Sequence, residues 1–248
     1  MSEKVFVNYI YDSCYSLSYG DYFFVFDYAK GILDIPETKH NIFLVSDVGE
    51  RTYTEEIFNL GKLKSLNYIL NKNVSNLKYH DNIIYLNKDE LGMKDLKKLY
   101  KTDNVYLLGE GDFLRLNFGD EEVVIKTFCL DGKRLGYFVE IDSLLICYAG
   151  STDLNNIDQE RYLDLLDELD EENPDLIFMP ITDLSKQSFA YLDKIISDAD
   201  SQIFFPTKIG NREEESLDFK KFYKSKNTDI RSIATANEKV EIDINSEY

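Results

Sequence analysis

NIFLVSDVGERTYTEEIFNL, residues Asn41 to Leu60, opens on a short continuous apolar run, Asn41 to Val45, of strand length. It closes on helical spacing over Thr54 to Leu60. Between them lies a polar, charged segment holding Ser46, Asp47, Gly49, Glu50, Arg51 and Thr52. Outward from this stretch the first half of the chain is a succession of such runs. Val5 to Tyr11, Tyr22 to Tyr28, Asn82 to Leu86, Asn104 to Leu108, Phe113 to Phe118, Glu122 to Phe128, Leu135 to Ile141 and Leu144 to Tyr148 all read as strands. Short polar or glycine turns at Ser18 to Tyr22 and Glu140 to Leu145 predict two hairpins. The second half alternates. Helical spacing over Ile157 to Glu171, Ser185 to Asp198 and Ser216 to Lys224 is interleaved with strands at Asp175 to Ile181, Gln202 to Thr207 and Glu238 to Ile244. A further helix is predicted over Asp89 to Tyr100. Strand-rich and then alternating, the pattern predicts two sheets packed face to face with helices outside, a four-layer αββα sandwich of the α/β (α+β) class. No Gly-, Ser- or Pro-rich linker and no fixed repeat interrupts it, so a single domain over 1–248 is expected.

Composition narrows the function. Forty-six acidic against 28 basic residues give a net charge of −18, which repels nucleic-acid backbones and anionic membrane surfaces. No apolar stretch approaches the roughly 20 residues of a membrane span, and the N-terminus has no export pattern, so the expected location is cytoplasmic. Cys14, Cys129 and Cys147 are widely spaced in apolar runs and read as buried reduced thiols, not a disulfide framework or a metal knuckle. The two histidines, His40 and His80, stand in polar stretches and read as loop or surface residues. Mechanisms needing several imidazoles are excluded. The acidic residues of Ile157 to Glu171 fall mostly opposite an apolar face of Tyr162, Leu165, Leu166 and Leu169, as on a solvated helix face. Gly109 and Gly111 lack the third glycine and the helix of a nucleotide fingerprint, so GEGD reads as a turn. Eighteen Tyr and 16 Phe leave room for an aromatic surface and self-association.

Several landmarks carry a family resemblance. YIYDSCYSLSYGDYFFVFDYAKG, with Phe26-Asp27-Tyr28 and Lys30-Gly31, resembles the opening hairpin of the metallo-β-lactamase-fold hydrolases, particularly small bacterial members. Asn41 to Leu60 resembles that family's strand, serine, HxHxDH motif and helix. GYFVEIDSLLICYAGST (Gly136 to Thr152) is similar to the later hairpin ending in His-Ala-Gly-Asp. DLIFMPI and IFFPTKIGN are similar to two late strands, the second ordinarily ending in a proline and a histidine ligand. These similarities cover nearly the whole chain.

On that frame the resemblance implies metal positions at Asp47, Gly49, Arg51, Thr52, Ser151 and Lys208, none of which keeps the family's residue. A hydrolytic zinc needs about three nitrogen, sulfur or carboxylate ligands. Glycine and threonine do not supply them, and a cation about 4 Å from Arg51 or Lys208 is repelled by several kcal/mol at an effective dielectric near 20. The expectation is a lost zinc site, no cofactor, and a catalytically inactive pseudo-hydrolase that binds or regulates, its partner an unidentified small molecule or protein. Asp12, Asp27, Tyr148 and Asp153 are the candidates for a residual pocket, each with a structural alternative as a turn, loop or packing residue. Two other readings stand beside this one. A hydrolase could use Mg²⁺ or Ca²⁺ on carboxylates from Asp12, Asp47, Glu50 and Asp153. Metal-free nucleophilic catalysis by Ser13, Cys14 or Ser151 lacks a histidine base placed to serve it. If the frame holds, Asn41 to Val45 and Leu144 to Tyr148 are neighbouring inner strands ending on one rim, and Asp47 forms an ion pair with Lys208 or Arg51.

Overall fold

Strand runs in the first part of the chain pair with their successors because the turns between them are short. β1 (Glu3–Tyr11), β2 (Cys14–Tyr19) and β3 (Tyr22–Phe26) form an antiparallel meander, with Asp12 at φ 57° and Gly20 at φ 48° in its two turns. The computed structural model describes residues 3–60, 65–72, 83–85, 103–198, 203–223 and 228–244. Parallel strands β4 (His40–Val45), β5 (Ser65–Asn71), β6 (Ile83–Tyr85) and β7 (Asp103–Leu108) extend the meander, and β15 (Lys239–Ile244) returns to pair with β1. The order is β15-β1-β2-β3-β4-β5-β7-β6.

The strands of the second sheet lie side by side in their order along the chain. Its antiparallel part is β8 (Phe113–Phe118), β9 (Glu121–Phe128), β10 (Gly136–Ile141) and β11 (Leu144–Tyr148). Its parallel part is β12 (Leu176–Pro180), β13 (Ile203–Thr207) and β14 (Asp229–Ile230). The inner faces share one core, in which Phe178 stacks on Phe205 at 4.9 Å and Phe26 on Tyr148 at 4.4 Å. Each such ring removed from water contributes about 1.5–3 kcal/mol.

Three helices, α1 (Gln159–Glu172), α2 (Lys186–Asp198) and α3 (Glu213–Phe222), cover the outer face of the second sheet. In α1 the Asp158 carboxylate accepts from the amides of Glu160 and Arg161, and Asn173 closes the other end at φ 47°. Tyr162, Leu165, Leu166 and Leu169 are its buried residues, as the spacing predicts. On the outer face of the first sheet, Ile57, Tyr53, Phe58, Leu33 and Ile35 pack from loops and a 3₁₀ turn, Glu55–Asn59.

The structure corrects several local readings. Thr54 to Leu60 is that 3₁₀ turn and not an α-helix. β5 was not foreseen because Leu66, Tyr68 and Leu70 bury on one face while Asn67, Ile69 and Asn71 bury on the other, leaving no alternation to read. Strand-forming β14 is too short to leave a pattern. α3 begins at Glu213, where three glutamates favour the positive end of the helix dipole. His40 is no loop residue. It opens β4, half-buried, with Nδ1 2.8 Å from Ser65 Oγ and its ring 4.3 Å from Phe118. The helix expected at Asp89 to Tyr100 and His80 lie outside the described residues. All three cysteines are buried and free, and Gly109 and Gly111 do form a turn, with Gly109 N donating to Asp112 Oδ2. Among the described residues no helix is long and apolar enough to cross a membrane.

Candidate functional site

Strands β4 and β11 are not neighbours within a sheet. They face each other across the core, and their carboxyl ends meet: Ser46 Oγ, just past β4, is 3.2 Å from Ser151 Oγ, just past β11. The rim around this junction is tied by tyrosines that cross between sheets. Tyr137 of β10 donates to Val45 O (2.7 Å), Tyr148 of β11 to Ser13 O (2.7 Å), and Tyr9 of β1 to Gly210 O (3.2 Å). Buried phenols need such partners, and these join the ends of both sheets.

Asp27, at φ 49° immediately after β3, is fully buried at the floor. Its Oδ1 accepts from Ser46 N (2.7 Å) and its Oδ2 from Ser46 Oγ (2.6 Å), while Tyr148 OH, 2.9 Å from Oδ2, shares its one proton between Asp27 and Ser13 O. Burial pushes the Asp27 carboxyl up, and these hydrogen bonds pull it back only to about 7. Gly150, at φ 47°, lies against this cluster. A Cβ there would come within 2.7 Å of Asp27 Oδ2 and 2.5 Å of the Tyr148 ring, so only glycine fits.

Charged side chains close the rest of the rim in pairs. The Arg51 guanidinium donates to Asp12 Oδ1, whose side chain is 2% exposed while Arg51 is half exposed. Burial raises the Asp12 carboxyl, an effect that Arg51, the Gly210 amide and Lys208 offset in part. Arg134 donates to Asp131 Oδ2 at 2.7 Å and reaches Asp47 Oδ2 at 3.4 Å. Asp131 is buried, which opposes its ionisation. Amide donors from Arg134, Asp153 and Lys133, with the Arg134 side chain, overcome that and hold its carboxyl below the usual range. Asp153 accepts from Asn155 N and Asn156 Nδ2. Arg212 grips Asp183 through two hydrogen bonds, 2.9 and 3.1 Å. Lys208, at φ 60° after β13, is half-buried. Its amide donates to Ser13 Oγ (3.1 Å), and its charge helps to lower the carboxyls of Asp153 and Asp183.

The structure pairs the charges differently from the expectation drawn from the sequence. Asp47 pairs with Arg134, not with Arg51 or Lys208. Residues 46–54 form a turn in which Thr52 N and Tyr53 N both donate to Gly49 O (3.0 and 3.1 Å). Thr52 Oγ1 donates to Asp47 O (2.9 Å) and Gly49 O (3.1 Å), shaping that turn. Arg134 and Asp131 were missed. Their signal was the CLDGKRL connection, where an aspartate two and three residues before Lys133 and Arg134 accepts from both amides. The carboxylates considered for a hard cation are dispersed: Asp12 on Arg51, Asp47 on Arg134, Asp153 on its own turn, Glu50 exposed. Among the described residues no group of three or more His, Cys, Asp or Glu side chains is gathered closely enough to hold a metal ion.

No protein-family model matches the chain. No curated protein matches it either. Solved structures do. A metallo hydrolase from the archaeon Ignicoccus hospitalis superposes with a TM-score of 0.61 at 11% identity, over 97% of this chain and 99% of that one. The metallo-β-lactamase-fold protein YhfI from Bacillus subtilis gives 0.57 at 15% identity, over 96% and 99%. A possible metal-dependent hydrolase from Veillonella parvula gives 0.56 at 10% identity, over 97% and 99%. The two facing mixed sheets and the rim at their strand ends define an α/β sandwich. It is the metallo-β-lactamase fold.

Proposed function

We propose that this chain is a metallo-β-lactamase-fold protein whose metal-dependent hydrolytic centre has been replaced by ion pairs. It is inactive as a metallo-hydrolase and uses the rim to bind or regulate a small molecule or protein. The observation that carries this reading is the Arg51 guanidinium seated on the buried Asp12 carboxylate. A permanently charged, five-donor group cannot be a metal ligand, and it occupies Asp12, one of the carboxylates considered for a hard cation. The surrounding donor set fits zinc no better. Gly49 has no side chain to offer, Thr52 Oγ1 is spent on carbonyls of its own turn, and Lys208 adds positive charge. Fold alone licenses no activity, so the function is argued from these residues.

The test is hydrolysis of phosphodiester, thioester and β-lactam substrates by chelator-treated protein, before and after adding Zn²⁺, Mn²⁺, Fe²⁺, Mg²⁺ or Ca²⁺. No metal should raise any rate. Metal-stimulated hydrolysis abolished again by chelation would overturn the reading.

A further inference from the structure

We infer that the outer face of the first sheet carries a second binding site, a cavity that takes a small organic carboxylate with a compact aromatic body. None of its lining residues belongs to the rim, and it makes no use of the metal positions.

Side-chain alternation builds the cavity. Tyr15, Leu17 and Tyr19 of β2 point into the core between the sheets, so Ser16 and Ser18 point the other way. Strand register aligns two rows across that outer face, Phe6, Ser18 and Phe23 in one and Lys239, Asn8 and Ser16 in the other. Phe6 and Phe23 are apolar walls with Ser18 between them, and the volume enclosed is about 240 Å³. A mostly apolar concavity on which a few polar groups converge is the form of a small-molecule site.

Those polar groups offer protons. Ser16 lines the cavity and is 3% exposed, and among the described residues its hydroxyl has no hydrogen-bond partner. A buried hydroxyl left unpaired is costly, and an acceptor on a ligand removes the cost. Ser18 Oγ accepts from the Lys39 ammonium at 2.6 Å, which leaves its own proton to donate into the cavity. Half-buried Lys39 also donates to Gly20 O at 2.6 Å. Burial lowers the pKa of its ammonium, and Asp21 offsets that only in part, so an anion seated on Ser18 completes the neutralisation of this charge. Asn8 spends its amide nitrogen on the carbonyls of Glu238 and Asn237. At the mouth Lys239 Nζ lies 3.9 Å from Asp34 Oδ2, both largely exposed. Solvent screens that pair, and the chain's overall negative charge is screened beyond about 8 Å at physiological salt. The serines and Lys39 therefore set the sign of the ligand.

At the packing density of a protein interior the cavity holds roughly ten non-hydrogen atoms, the size of phenylacetate. In the complex the carboxylate accepts from Ser16 and Ser18, and the ring rests between Phe6 and Phe23.

The test titrates the full-length protein, in excess chelator, with phenylacetate, phenylacetamide and phenethylamine while following backbone amide NMR shifts. Phenylacetate should saturate with a Kd of about 1 mM, as an ordinary ligand efficiency gives for a molecule of this size, and should move Phe6, Ser16, Ser18 and Phe23. Phenylacetamide, the same body without the charge, should bind at least about tenfold more weakly, and phenethylamine should not saturate. Ser16→Ala removes one oxygen that supports no other group and should weaken phenylacetate about tenfold. Lys39→Met should weaken it similarly, and the amide spectrum of each variant reports its fold in the same experiment. Equal binding of the three probes, no saturation by phenylacetate well above that Kd, or unchanged affinity in Ser16→Ala overturns the proposal. So does a response confined to Ser46 and Ser151, which would seat the ligand at the rim in line with the function proposed above. Because chelator is present throughout, failure at the outer face leaves the ion-pair reading of the metal positions untouched.

Discussion

Asp27 is a carboxyl whose burial costs more than its three hydrogen bonds return, and this gives stability a definite pH dependence. Its folded value of about 7 exceeds the ordinary value of 3.8, so between those limits the folded state binds the proton that the unfolded state releases. The contribution is complete below about pH 4 and is lost as pH rises through 7. Urea unfolding of wild type and Asp27→Asn should show the wild type losing about 2–3 kcal/mol relative to the variant between pH 5 and pH 8. Parallel pH curves would contradict that assignment. Asp12 makes a different prediction. Removing Arg51 leaves a carboxylate with a 2% exposed side chain beside only partial compensation. Arg51→Ala should cost about 1–3 kcal/mol, the lower end reflecting solvent screening of a half-exposed guanidinium. Adding Asp12→Asn to that variant should recover part of the loss in the same unfolding experiment, and no recovery would place the effect in packing.

Among the elements, strand ends carry the site, and glycine governs how closely they approach. Gly150 follows β11 at φ 47° with Tyr148 and Asp27 inside the volume of any added Cβ. Gly150→Ala should cost about 2–4 kcal/mol through strain and overpacking. Thermal melting beside Gly111→Ala checks this, because Gly111 shares the positive φ (69°) with nothing within 4 Å; equal losses at both would mean that φ alone matters. The elements differ in how readable they were. β1, β3, β4, β10 and β11 could be read because short turns punctuate their apolar runs. α1 could be read because its apolar residues recur at 3.6-residue spacing above a charged face. β5 could not, since burial on both faces removes periodicity, and the 3₁₀ turn at Glu55–Asn59 borrows the spacing of a longer helix. Local sequence places a boundary only where a cap or turn residue marks it, as Asp158 does for α1.

Across the whole molecule, a chain of net charge −18 concentrates Arg51, Arg134, Lys208 and Arg212 at one rim, against Asp12, Asp47, Asp131, Asp153 and Asp183. The loops that build this rim were legible because each follows a recognisable strand. Which cation meets which carboxylate was not, since Arg134 enters from the β9–β10 connection, far from Asp47 in sequence, and only the packing of two sheets brings them to 3.4 Å. The same holds for Ser46 and Ser151, 105 positions apart and in hydrogen-bond contact. On the function proposed above, these pairs stand where the metals of a hydrolase would bind. Elemental analysis of the full-length protein, expressed in zinc- and iron-supplemented medium and purified without chelator, tests it most directly. Well under one equivalent of either metal per chain is predicted, because among the described residues no three His, Cys, Asp or Glu side chains gather to hold one; a retained stoichiometric equivalent of zinc or iron at this rim would contradict it.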